Sequence, residues 1–157
     1  MFDPITYMQT LQQTMKLTAE KYQFEVVSGV DTLEGVVENS RKQDYFFAVD
    51  DSQDGITFRG AGATYYERRP YTVFLLGKAE YGNMEQRSAV LAEAKAIFRT
   101  ILSKLIQDKR SISVLDVEKI QFFEVAPAFA TGCSGIYFIF NIENPVNLVY
   151  NGDEWTD

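Results

Sequence analysis

The sequence predicts an α+β fold: a mixed or mostly antiparallel sheet of about five to six strands with two main helices packed on it. Three observations carry this. Two segments show apolar residues at helical spacing, one near the N-terminus and one over residues 90–106. Between them, residues 45–76 read as three short strands in succession, and a pair of strands follows the second helix. The predicted order is helix, three-strand meander, helix, hairpin, forming a single domain over residues 1–150 with an acidic tail at 151–157.

Asp3-Pro4 opens the first helix, with Asp as cap and Pro at the first helical position, where its missing N–H is not needed. Ile5, Met8, Leu11, Met15, Ala19 and Tyr22 recur at spacings of three and four, so the helix is expected to run to about residue 21. Residues 24–27 (FEVV) form a short strand, and Ser28, Gly29 and Asp31 turn the chain. Residues 33–44 are polar and weakly patterned, a strand with a solvated face or a loop.

Residues 45–49 make a strand, and Asp54-Gly55 has the composition of a two-residue hairpin turn with positive φ. Residues 56–59 return, and Gly60-Ala61-Gly62-Ala63 breaks or bulges the strand. Residues 71–76 are apolar on both faces, as expected of a central strand.

Asn83 and Gln86 suggest a capping box for the second helix. Its stripe of Val90, Leu91, Ala94, Ile97, Phe98, Ile101, Leu102, Leu105 and Ile106 ends near Asp108, before the basic pair Lys109-Arg110. One helical turn is expected near residues 114–118 and a strand over 120–125. Pro127, Gly132 and Gly135 mark a long turn, and residues 136–142 form a second doubly apolar strand that Pro145 stops. Residues 146–150 then make a short edge or an arm.

Composition narrows the function. The net charge of −7 argues against binding a nucleic-acid backbone, which calls for a basic footprint. No apolar run reaches the length of a membrane span, and no signal-peptide pattern opens the chain, so a cytoplasmic protein is expected. Histidine is absent, which excludes Ser–His and Cys–His nucleophile pairs and the usual His-containing zinc sites. With one cysteine, Cys133, there is no intramolecular disulfide. No catalytic residue, cofactor or metal is predicted.

Asp50-x-Ser52-x-Asp54-Gly55 partly matches the start of a calcium loop, but Phe58 and Ala61 fall where the later ligands belong. It reads as a solvated hairpin tip. Cys133, between Gly132 and Ser134, reads as an inert turn or buried thiol. Gly60-Ala61-Gly62-Ala63 lacks the Gly-Lys-Ser/Thr ending of a phosphate cradle. Tyr65-Tyr66 lacks the basic groove that base stacking needs.

Glu67-Arg68-Arg69-Pro70 places two arginines just before the central strand, where arginine can clamp an anion or anchor a subunit contact. Glu67, Arg68 and Arg69, with Asp50, Asp51 and Asp54, are the candidate subunit-interface residues.

The layout resembles that of bacteriophage tail-terminator and tail-completion proteins. The resemblance rests on the opening helix from Asp3 and the strand Glu67-Arg68-Arg69-Pro70-Tyr71-Thr72-Val73-Phe74-Leu75. It rests also on the helix over 89–106 and the closing strands over 122–125 and 135–149. It implies a non-enzymatic assembly subunit that forms a homo-oligomeric, hexameric ring at the head–tail junction, with other tail or neck proteins as partners. Fold analogy alone does not fix function. The alternative is a small ligand- or partner-binding module, and an enzyme relying on carboxylates, Lys, Tyr or Cys133 comes last.

Overall fold

The computed structural model describes residues 1–40, 42–125 and 132–156. Among these residues, three helices, α1 (Pro4–Thr14), α2 (Gly29–Asn39) and α3 (Met84–Asp108), accompany six strands. The strands are β1 (Gln23–Val27), β2 (Tyr45–Asp50), β3 (Ile56–Arg59), β4 (Tyr65–Lys78), β5 (Leu115–Glu124) and β6 (Cys133–Val146). The sheet order is β1-β2-β4-β6-β5, with β3 also on β4; only β1 and β2 are parallel. The α+β class and the mostly antiparallel sheet are as expected. The helix count is one higher.

Strand alternation sorts the core into two layers. Tyr71, Val73 and Leu75 of β4 join Phe138, Phe140 and Ile142 of β6 on one face, beneath Phe98, Ile101 and Leu105 of α3 and Met8 and Leu11 of α1. Leu102 packs against the same cluster from its edge. Ile106, expected in the stripe, is instead 54% exposed. On the other face Phe46, Ala48, Phe74 and Leu76 meet Leu33 and Val37 of α2.

α2 occupies part of the stretch expected to be a strand or a loop. Val30, Leu33, Val36 and Val37 recur at helical spacing, but three valines and two glycines in its span are poor helix formers and argue against a helix on propensity. Tertiary burial of the i,i+4 pair Leu33 and Val37 overrides propensity, and with β1 and β2 the helix completes a βαβ unit.

α1 ends at Thr14, not near residue 21. The chain turns instead around a buried amide: Gln12 Nε2 donates to the carbonyls of Thr18 and Tyr22 at 3.0 and 2.9 Å. The Thr18 hydroxyl returns a bond to the Gln12 carbonyl at 2.6 Å. At α3, Asn83 Oδ1 accepts from the Gln86 N–H at 3.0 Å, whereas the Gln86 side chain accepts from the Glu80 N–H at 2.7 Å rather than from its cap residue. The helical turn expected near residues 114–118 is instead the start of β5, which has a register shift between Asp116 and Gln121. β6 runs through Pro145 to Val146, with Pro145 opposite Tyr66. The long turn expected around Pro127 lies largely outside the described residues.

The meander is built differently from its sequence expectation. β2 and β3 do not pair with each other; both run antiparallel to β4, end to end along the same edge. β2 covers β4 from Val73 to Gly77, and β3 covers it from Tyr65 to Arg68. Residues 51–55 loop out between them, so Asp54-Gly55 is not a hairpin tip and Gly55 is not among the positive-φ glycines. Gly55 meets a packing demand instead: a Cβ there would lie 3.1 Å from the Arg68 carbonyl oxygen.

That contact also explains a proline inside a central strand. The Arg68 carbonyl faces the β2/β3 edge, and main-chain groups two residues apart face the same side. Pro70 therefore turns its missing N–H toward the gap, where no strand asks for a donor. The true hairpin is β3–β4, closed by the Gly60 N–H donating to Thr64 at 2.8 Å over a 3₁₀ turn at Ala61–Ala63.

Candidate interaction surface

The helices leave one end of the sheet bare. α1 and α3 cover one face, while α2 covers the other only over β1, β2 and the adjoining part of β4. Past Tyr71 and Ile142, the three-stranded ribbon of β3, the start of β4 and the end of β6 continues with its side chains half-buried or exposed. Among the described residues, no strand pairs with the outer edge of β3.

Arg68 is the centre of this region. It faces Glu143 in register on β6, and its Nε donates to Glu143 Oε1 at 2.6 Å. Its guanidinium lies 5.0 Å from the centroid of the Phe58 ring, which stacks on Tyr66 at 5.9 Å. Arginine suits this position because its planar head serves a carboxylate and a ring at once. Two shallow grooves flank it. One, of about 340 Å³, is bounded by Asp116, Gln121, Ile139 and Asn141. The other, of about 270 Å³, is bounded by Asp54, Ile56, Pro70 and Asn141.

Of the six residues predicted for an interface, the structure gathers Arg68 and Asp54 at one place. Glu67 and Arg69 belong to the opposite face by alternation. Arg69 hydrogen-bonds the Gln53 side chain and lies 5.6 Å from the Tyr71 ring. Asp50 and Asp51 are engaged locally: Asp50 Oδ1 accepts from the Ser52 N–H at 2.9 Å, and Asp51 Oδ1 accepts from the Ser28 hydroxyl at 2.6 Å. The Asp51 bond fastens the loop to Ser28, just before α2. Among the described residues, no three His, Cys, Asp or Glu side chains form a group that could hold a metal ion.

Sequence reasoning missed Glu143 and Asn141. The alternation of Phe140 and Ile142 with Asn141 and Glu143 was the available signal, since it marks a strand whose second face has left the core. The pairing of Arg68 with Glu143 depends on strand register, which no local pattern encodes.

Cys133 begins β6, is buried, and has its pKa pushed up to about 11 by burial, with nearby Lys78 opposing. Such a thiol is a poor nucleophile. Among the described residues, no helix is long and apolar enough to cross a membrane. No protein-family model matches this chain, and no curated protein matches it.

Proposed function

We propose that the chain is a non-enzymatic assembly subunit that associates with further copies of itself through the bare end of its sheet. The observation that carries this reading is the uncovered ribbon around Arg68, with its free β3 edge, stacked Phe58 and Tyr66, and half-buried ion pair. An open strand edge is a template for pairing with another chain, and Arg and Tyr are the side chains most used as contact anchors. A ring at a phage head–tail junction is the specific form that the layout resemblance supports. Two substitutions test the coarser reading: Ile56→Asp at an exposed position of β3, and Arg68→Ala, which removes the half-buried guanidinium without setting a like charge against Glu143. Multi-angle light scattering should give an oligomer for the parent chain and a smaller species for each variant, with circular dichroism unchanged. A parent chain that stays monomeric at high concentration refutes the proposal.

A further inference from the structure

Two exposed apolar clusters lie at opposite ends of β6. After Val146 the chain leaves the sheet as an arm on which Leu148, Val149, Tyr150 and Trp155 are 59%, 82%, 75% and 69% exposed. The arm is ordered on itself: Asn151 caps a 3₁₀ turn at Gly152–Glu154, and the Tyr150 and Trp155 rings stack at 6.2 Å. At the other end, the turn between β4 and α3 and the start of β6 enclose a mainly apolar groove of about 560 Å³. Ala79, Tyr81, Met84 and Cys133 line it, with Tyr81 fully exposed and Met84 68% exposed. Four large apolar side chains on one short arm are more than scattered surface residues account for.

The arm cannot reach its own groove. β6 has 14 residues, so its ends lie about 44 Å apart at the usual strand rise. Residues 147–155, even fully extended, span about 30 Å. The groove that the arm can enter therefore belongs to another molecule.

We infer that the arm of one copy docks, through Val149, Tyr150 and Trp155, into the β4–α3 groove of a second copy. The contact joins two different patches, so it is heterologous and repeats head to tail, closing into a ring or running on as a filament. The bare ribbon lies at the arm's end of the sheet, so the same contact carries the ribbon toward the next subunit. Two buried aromatic side chains supply about 300–500 Å². A stable interface takes about 800 Å² from each partner, so the ribbon has to contribute much of the remainder. This inference deepens the assembly reading and rests on it.

Trp155 is the only tryptophan of the chain, which makes the contact directly observable. In a dilution series of the full chain, followed by light scattering and fluorescence, Trp155 emission should move to the blue as mass rises. Met84→Asp, at an exposed site that leaves the fold intact, should weaken association roughly tenfold or more and keep the emission red. Tyr81→Cys combined with Val149→Cys in a Cys133→Ser chain should oxidise to a ladder extending past dimers in which peptide mapping finds residue 81 bonded to residue 149, while each single-cysteine chain stays largely monomeric. Oligomers whose Trp155 emission is independent of mass, with Met84→Asp assembling normally, overturn the arm–groove contact and leave the assembly reading standing. A chain monomeric throughout overturns both.

Discussion

Gly135 offers the sharpest test of how the sheet is built. It lies on β6 opposite Leu76, at φ +149, a backbone conformation that residues with a Cβ rarely adopt. A Cβ at this position would be 1.9 Å from the Leu75 carbonyl oxygen and 2.9 Å from the Leu75 carbonyl carbon. Ordinary contact between such atoms is about 3.5 Å, so β4 and β6 have to part by more than 1 Å, roughly. That exceeds what a main-chain hydrogen bond tolerates, and the bond from the Val125 N–H to the Gly135 carbonyl, at 2.9 Å, is exposed to the same shift. Two such bonds contribute about 1 kcal/mol each. The backbone conformation adds about 1–3 kcal/mol, and overpacking about 1–3 kcal/mol. Gly135→Ala is therefore expected to destabilise the protein by about 4 kcal/mol or more, a loss that marks a named structural fault and not a surface effect. Urea unfolding followed by circular dichroism measures it. Gly35→Ala is the control, because Gly35 lies inside α2 with nothing near its missing Cβ, and it should stabilise by about 0.5–1 kcal/mol. A Gly135→Ala chain within about 1 kcal/mol of the parent, a surface-like change, refutes the close approach of β6 to β4.

Three further substitutions probe other parts of the fold. Phe98→Asp places an unpaired charge between Phe122 and Phe138, whose ring centroids are both 5.0 Å from Phe98, and should abolish cooperative unfolding. A variant of near-native stability would sink the packing of α3 on the sheet. Ala63 holds φ +63 in the β3–β4 turn without being glycine, so Ala63→Gly should raise the urea midpoint, by about 0.5–1 kcal/mol in stability. No gain would show that the turn does not hold that conformation in solution. Asp108 accepts from Lys104 at 2.7 Å and from the Tyr7 hydroxyl at 2.8 Å, and these bonds, that to Lys104 foremost, hold its carboxyl below the usual range. A lowered folded pKa means stability that is present at neutral pH and lost as pH falls through the folded value. Asp108→Asn should thus cost about 0.5–1 kcal/mol at pH 7, and the difference should close under acid, below the ordinary carboxyl value of 3.8. A difference that persists in strong acid contradicts the assigned role.

What could be read from the chain follows from where the determining forces lie. The α3 stripe and the doubly apolar β4 and β6 are local patterns set by burial, and they are legible. α2 is not legible as a helix, because Val30, Val36, Val37 and two glycines suppress its propensity and only the packing of Leu33 and Val37 rescues it. The end of α1 depends on Gln12 closing on Thr18 and Tyr22, a tertiary arrangement of residues that look like ordinary helix-face polars. Asp54-Gly55 carries the composition of a tight turn, but the nearby main chain of Arg68, and not positive φ, is what requires the glycine. At the surface, Arg68 was legible as a polar intrusion at a strand start. Its partner Glu143 was not, because 75 residues separate them in sequence.

The gap at Pro70 has a mechanical consequence. Among the described residues, no strand is bonded to β4 on the β2/β3 side between Arg68 and Val73, so bending there breaks no main-chain bond along that edge. What ties the ribbon to the helix-covered body at this level is the unbroken β4–β6 pairing, with Pro70 opposite Asn141 and the start of β5 beyond it. Under the proposed association through the ribbon end, β4 and β6 would carry the load of the contact past Pro70 with no third strand beside β4 on the β2/β3 side.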